Sequence, residues 1–223
     1  MYGSASIEIT GGEPFLYPSF VELMKRLCAR HTLRITTNLS VNEAFLEQFA
    51  AQVDAQSVSI EASFHPAFIG LDAFMARAII LKERGFPVRV QYVAYPAQLK
   101  LIVHYDEEFR KKGLSFSVTS FWGTYNGVSY PAGYNEEERV CLRNYLKDLQ
   151  RIELNLEHVS PRGRLCQAGS RFALIRGDGK VVRCGQKQQD NYIGFFLDEG
   201  FRLLEAPAPC AAESCPCNDF REG

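Results

Sequence analysis

A parallel α/β sheet covered by helices is the fold class that the sequence predicts, and three observations predict it. Over the first 150 residues, short β-type runs alternate with amphipathic stretches of helical period, five times in succession. The strand-like runs read as mostly apolar on both sides, the pattern of parallel strands buried on two faces. Glycines stop two of the helical stretches, at Gly85 and Gly113, just before the next strand is due. A partial or complete (β/α) barrel and an open doubly wound sheet both satisfy this pattern. In either one, ligands gather at the C-terminal ends of the strands.

The elements follow in order. Ile7–Thr10 is the first strand, and Ser19–Arg30 the helix after it, with Phe20, Leu23, Met24 and Leu27 on one face. Ser19 and Glu22 have the spacing of a capping box. Leu33–Thr37 is a strand, then Asn42–Ala50 a short helix with Phe45, Leu46 and Phe49 on one side. Ser57–Ala62 leads into a helix over Asp72–Arg84 that turns Phe74, Met75, Ala78, Ile79 and Leu81 inward. Val88–Val93, a helix over Ala97–Lys112 and the strand Ser115–Ser120 complete the alternation. A Gly- and Tyr-rich loop, Phe121–Tyr134, then precedes a helix from about Asn135 to Arg151, capped by Asn135 with acidic residues in its first turn.

From about Ser160 the pattern changes. Phe172–Ile175 and Lys180–Arg183 form a predicted hairpin around Gly177-Asp178-Gly179. Ala206-Pro207-Ala208-Pro209 leads into a cysteine cluster, in a segment too poor in apolar residues to fold without a staple. The expected division is therefore residues 1–155 and 156–223.

Composition excludes several classes. With 223 residues, 46% of them apolar, the chain is long enough to bury a core. A formal charge of −1 offers no electrostatic footprint for nucleic acid or an anionic membrane. No apolar run approaches the ~20 residues of a membrane span, and the N-terminus has no signal-peptide pattern. The expectation is a soluble cytoplasmic protein.

Cysteine is the unusual entry in the composition. Five of the seven (Cys166, Cys184, Cys210, Cys215 and Cys217) fall in the last third of the chain. Cys28 and Cys141 sit in helical patterns and read as buried thiols. The spacings are Cys166-x17-Cys184 and Cys210-x4-Cys215-x-Cys217. Four thiolates on a small hairpin module suit an all-thiolate zinc site or an iron–sulfur cluster, and spacing does not separate the two. Five candidates compete for four positions, so the spare one stays open.

The first strand ends in Ile9-Thr10-Gly11-Gly12-Glu13-Pro14-Phe15-Leu16. Two glycines directly after a strand allow close approach of backbone to a ligand, although an ordinary βα turn uses them too. Ile35-Thr36-Thr37-Asn38-Leu39 and Ser57-Val58-Ser59-Ile60-Glu61 lie near the ends of the next two strands. In this order the three strings resemble the Gly-Gly-Glu-Pro, Thr-Asn and Ser-x-Asp/Glu motifs of the radical SAM superfamily.

That resemblance implies a radical SAM barrel in which Gly11, Gly12, Glu13 and Pro14 hold the methionine moiety of S-adenosylmethionine, with Asn38, Ser59 and Glu61 on the same ligand. Cys166-Gln-Ala-Gly and Gly179-Lys-Val-Val-Arg-Cys184 resemble the start of the SPASM and Twitch modules. They imply one auxiliary 4Fe–4S cluster held by four of Cys166, Cys184, Cys210, Cys215 and Cys217. The implied chemistry is reductive cleavage of S-adenosylmethionine and radical modification of a peptide or small molecule. A flavodoxin or ferredoxin would be the electron donor.

The family's Cys-x3-Cys-x2-Cys loop occurs nowhere in the chain, and only Met1 to Thr10 precede Gly11. The expectation is a partial barrel lacking its first βα unit, N-terminally truncated and inactive in cleavage by itself. The alternative is a non-catalytic binding module with a structural zinc on four cysteines.

Quieter features complete the reading. Ser63-Phe64-His65-Pro66 puts a histidine after the third strand, as an acid, a base, a substrate contact or a plain turn residue. Arg89 and Gln91 share one side of the fourth strand, available to substrate if that side faces the barrel interior. Tyr92–Pro96 is a candidate for packing on adenine. Trp122, Tyr125, Tyr130 and Tyr134 either line the mouth of the site or pack on its rim.

Overall fold

The computed structural model describes residues 3–146, 149–185 and 191–215. The chain forms two compact units, Met1–Phe121 and Trp122–Gly223. Residues 122–155, placed with the barrel in the sequence reading, cluster with the second unit.

In the first unit the predicted alternation is realised element by element. The order is β1 (Ser6–Ile9), α1 (Phe20–Cys28), β2 (Thr32–Thr37), α2 (Glu43–Gln52), β3 (Val58–Phe64), α3 (Leu71–Glu83), β4 (Val88–Ala94), α4 (Ile102–Lys111) and β5 (Ser115–Ser120). The five strands form one sheet in the order β1-β2-β3-β4-β5, every neighbouring pair parallel. Asn42 caps α2 by accepting the Phe45 N–H, as its residue type favours.

The core lies on one face of this sheet. Val58, Ile60, Ala62 and Phe64 of β3 are buried, as are Val90, Tyr92 and Ala94 of β4. Phe64 is the hub, with ring centroids 4.9 Å from Phe74 of α3 and 5.0 and 5.4 Å from Tyr105 and Phe109 of α4. Phe49 of α2 plays the same part nearer β1, 5.1 Å from Phe15 and 5.4 Å from Phe86.

The opposite face corrects the expectation of strands apolar on both sides. Register puts Thr36, Glu61, Arg89 and Ser115 in one row and Ser63, Gln91 and Ser117 in the next. None of these is fully buried. Alternating burial along β3 is the signature of a sheet covered on one face, so every second residue is free to be polar.

A second correction concerns α1. Ser19 precedes it with φ +60°, in the left-handed region, and its side chain caps nothing. An N-cap hydroxyl reaches the first turn only from extended backbone. Glu22 pairs instead with Lys25 at 3.1 Å.

In the second unit, the expected loop after β5 contains a hairpin, β6 (Gly123–Tyr125) with β7 (Val128–Tyr130). Asn126 and Gly127 close it with φ +47° and +77°, the positive pair that favours Asn-Gly. The single expected helix is two, α5 (Glu136–Arg143) and α6 (Leu149–Asn155). Asn135 and Glu138 form a reciprocal capping box on α5.

The remaining strands are short: β8 (Leu165–Cys166), β9 (Leu174–Ile175), β10 (Lys180–Val182), β11 (Tyr192–Phe195) and β12 (Ala208–Pro209). The predicted hairpin is β9 with β10, extended by β11 into a three-stranded antiparallel sheet. β12 pairs with β8, setting Ala208 opposite Cys166. No described helix is long and apolar enough to cross a membrane.

Candidate functional site

The first site sits at the C-terminal ends of β1–β3. Gly11 and Gly12 follow β1 with φ +97° and +58°, conformations that a side chain would strain. Open space lies where a Cβ on either residue would stand. Main chain is therefore bare to an incoming ligand there. Pro14 then opens a short 3-10 turn, where its missing N–H costs nothing.

Glu13 does not point its carboxylate freely outward. Oε1 accepts the Thr37 hydroxyl at 2.7 Å and the Phe15 N–H at 3.1 Å, and Oε2 accepts the Asn38 N–H at 2.7 Å. Thr37 Oγ1 in turn accepts the Leu39 N–H at 3.0 Å. One carboxylate thus ties the glycine loop to the end of β2. Charge-assisted bonds of this kind are the stronger ones.

Beside this tie lies a pocket of about 250 Å³ lined by Asn38, Ser40, Ser63, His65, Phe68, Ile69 and Arg77. Its polar groups are amide, hydroxyl, imidazole and guanidinium, with no carboxylate among them. Asn38 Oδ1 accepts the Ser40 N–H at 2.8 Å, and Arg77 Nη1 donates to the Leu39 carbonyl at 2.7 Å. These bonds stiffen the turn in which Leu39 has φ +54°.

Of the residues singled out in the sequence, Gly11, Gly12, Glu13, Pro14 and Asn38 meet at this corner. Ser59 and Glu61 stand elsewhere, four and two positions before Ser63 on β3. The Ser59 hydroxyl donates to the Leu33 carbonyl at 3.4 Å, and Glu61 lies 3.6 Å from Arg89. Ser63, His65 and Arg77 line the pocket. His65 was visible as a histidine after a strand. Arg77 betrays itself only as a cation within an apolar helix face, between buried Met75 and Ala78.

Tyr92 is withdrawn from any ligand. It is buried among Phe64, Tyr105 and Phe116, and burial, followed by neighbouring Tyr105, pushes its phenol far up. The indole N–H of Trp122 is likewise occupied, donating to Asn155 Oδ1 at 3.0 Å.

The second site is the cysteine cluster of the second unit. Cys166 and Cys215 are buried with Leu154 and Ala168, and Phe172, Cys184 and Cys210 pack against them. Cys166, Cys184 and Cys210 are free thiols, whereas Cys215 is disulfide-bonded. Cys217 lies outside the described residues. Burial pushes the Cys166 thiol up, partly offset by the Ala168 N–H and the Arg183 guanidinium. Among the described residues no three His, Cys, Asp or Glu side chains are arranged to hold a metal ion. Cys28 and Cys141 are partly buried, and burial raises both thiols.

No protein-family model matches the chain. It is 21% identical over 258 aligned positions to the antilisterial bacteriocin subtilosin biosynthesis protein AlbA of Bacillus subtilis (strain 168), covering 99% of this chain and 56% of that one. Among solved structures it matches anSMEcpe with bound AdoMet, at 15% identity and a TM-score of 0.58, over 87% of this chain and 61% of that one. The same protein with bound AdoMet and Cp18Cys peptide gives 14% identity and a TM-score of 0.59, over 87% and 65%. The fold is similar to that of anSMEcpe. The chain spans between about half and two thirds of the length of these relatives.

Proposed function

We propose that this chain is the S-adenosylmethionine-binding and auxiliary-cluster portion of a radical SAM enzyme that modifies a peptide. The observation that carries the reading is the corner where the Gly11-Gly12 main chain, tied by Glu13 to the end of β2, borders a donor-lined pocket at the strand ends. Ligands of parallel α/β sheets bind at that end. Gly11 and Gly12 offer main chain to the methionine ammonium, and Arg77 with His65 and Asn38 receives its carboxylate. Glu13 acts through the loop that it orients. Ser59 and Glu61, lower on β3, face the substrate side together with Arg89 and Gln91.

The peptide substrate is favoured by the likeness to a bacteriocin biosynthesis protein and to a structure holding a peptide. In a complete enzyme, S-adenosylmethionine held here would supply hydrogen-abstraction chemistry once cleaved by an electron that passes from a flavodoxin- or ferredoxin-type donor through a cluster-bearing Cys-x3-Cys-x2-Cys loop. These 223 residues contain no Cys-x3-Cys-x2-Cys loop, so by themselves they bind the cofactor without cleaving it.

The thiols fit a soft metal centre in chemistry, since three free ones share a single apolar cluster. An iron–sulfur cluster has the width to take thiolates too far apart for one ion, and the reading assigns it Cys166, Cys184 and Cys210. The fourth ligand is Cys215 or Cys217, and ligation by Cys215 requires its disulfide to be reduced. A cytoplasmic location, which keeps thiols reduced, accords with this.

Two measurements test the proposal. Calorimetry should show S-adenosylmethionine binding that Gly12→Val abolishes. Anaerobic reconstitution with iron and sulfide should give about four irons per chain and a broad visible absorbance. Zinc without colour would replace the cluster by a structural zinc site, and no binding of S-adenosylmethionine would remove the first half of the reading.

A further inference from the structure

Three separate segments bring Cys166, Cys184 and Cys210 together, and one side chain bonds across all of them. Arg183 immediately precedes Cys184. Its Nε donates to the Ala168 carbonyl at 3.1 Å, two residues past Cys166. Its Nη2 donates to the Ala208 carbonyl at 3.0 Å, and its Nη1 to the Pro209 carbonyl at 3.4 Å, two residues and one residue before Cys210. Arg183 also donates its own N–H to the Asn191 carbonyl at 2.7 Å, and the Asn191 side chain donates to the Cys184 carbonyl at 2.6 Å. The guanidinium is therefore anchored at its root as well as at its tips.

The neighbourhood is shaped around this side chain. Gly169 has φ +92°, and a Cβ there would stand 2.9 Å from Arg183 Cγ, so the glycine clears the path of the stem. Among the described residues, the other bonds between the cysteine segments join the first and the last, where the Gly163 N–H donates to the Cys210 carbonyl at 2.9 Å. β12 is paired with β8 over two residues, and the Cys210 N–H reaches the Arg164 carbonyl at 2.9 Å. Strands this short hold register weakly without a cross-link.

We propose that Arg183 is the positioning residue of the thiolate site, setting the separation of Cys166, Cys184 and Cys210 before a cluster binds. The inference rests on the reading of these thiols as a cluster site. A planar fork with donors at fixed angles meets three carbonyls at once, which a single ammonium on a flexible stem does not. Hydrogen-bonding partners that orient the ligands of a metal site change its affinity by roughly 10–100-fold when removed.

The test compares the wild-type chain with Arg183→Lys, Arg183→Met and Arg176→Met, each reconstituted anaerobically with iron and sulfide. Arg176 is an exposed residue of the same hairpin and serves as the control. Iron retained against a chelator should fall about tenfold or more in both Arg183 variants and stay at the wild-type level in Arg176→Met. A redox titration of the residual cluster should place Arg183→Met below Arg183→Lys in potential, because a cation beside a cluster favours its reduced form. Wild-type retention in Arg183→Lys would overturn the inference, since charge without the fork would then suffice. Failure of the wild-type chain itself to take up iron would instead overturn the cluster reading, a separate result.

Discussion

The two units reach order by different means. The first buries aromatic side chains against one face of a parallel sheet, and Phe64 alone meets three other rings within 5.4 Å. The second has strands of two to four residues, thiols in its apolar cluster and a guanidinium bonded to three carbonyls. The difference teaches where each unit is vulnerable. A buried aromatic contributes through area removed from water and through close packing. A polar clasp stabilises only while each partner stays in place, since an orphaned carbonyl has to be resolvated or left unsatisfied.

The sharpest way to break this comparison is to exchange lesions. Phe64→Ala should destabilise the first unit by about 3–5 kcal/mol, measured by chemical denaturation, with iron uptake per folded chain unchanged. Cys184→Ala should do the reverse, reducing retained iron by about tenfold or more while S-adenosylmethionine binding persists. Equal effects of both substitutions on both readouts would mean that the units do not draw stability from separate sources.

Within the first unit, Glu13→Gln sharpens the division between ligand and scaffold. The amide removes the charge that receives the Thr37 hydroxyl and the Asn38 N–H. Weakening these bonds should cost about 1–3 kcal/mol, seen as a loss of S-adenosylmethionine affinity in calorimetry together with a lower melting temperature. Arg77→Met should lower affinity by about tenfold through the lost guanidinium–carboxylate interaction, with a smaller effect on melting. Binding unaffected by Arg77→Met would move the carboxylate elsewhere in the pocket.

The smallest expected effect concerns pH. His158 of the second unit is held below its ordinary value, first by burial and then by the Arg139 guanidinium. A depressed pKa means that the unfolded chain binds the proton more readily. The second unit should therefore lose stability as pH falls through about 6.5 and level off once below the folded value. His158→Asn tolerates the positive φ of +56° and should flatten that slope in denaturation curves taken between pH 5 and 7.5.

Much of the first unit was legible because its information is local. Alternation of two hydrophobic periods placed all five strands of its sheet, and Ser115–Ser120 matches residue for residue. Asn42 and Asn135 cap as their residue type favours. Asn126-Gly127 was just as legible as a hairpin turn but was absorbed into a loop rich in Gly and Tyr. Ser19 shows the limit of local rules, since its left-handed backbone removes a cap that its spacing favoured.

By itself, the sequence determined the β/α alternation, the bare glycine turn after β1 and the supply of thiols in the last third of the chain. Each of these depends on residues close together along the chain. Only the tertiary structure decided that one sheet face is polar, that Glu13 turns toward Thr37 and Asn38, and that Ser63 and Arg77 line the pocket while Ser59 and Glu61 lie below it. These depend on parallel register and on helix placement, which bring together side chains 24 or more positions apart, such as Glu13 and Thr37. Arg183 is the same case in the second unit, because its three carbonyl partners belong to segments 15, 25 and 26 positions away.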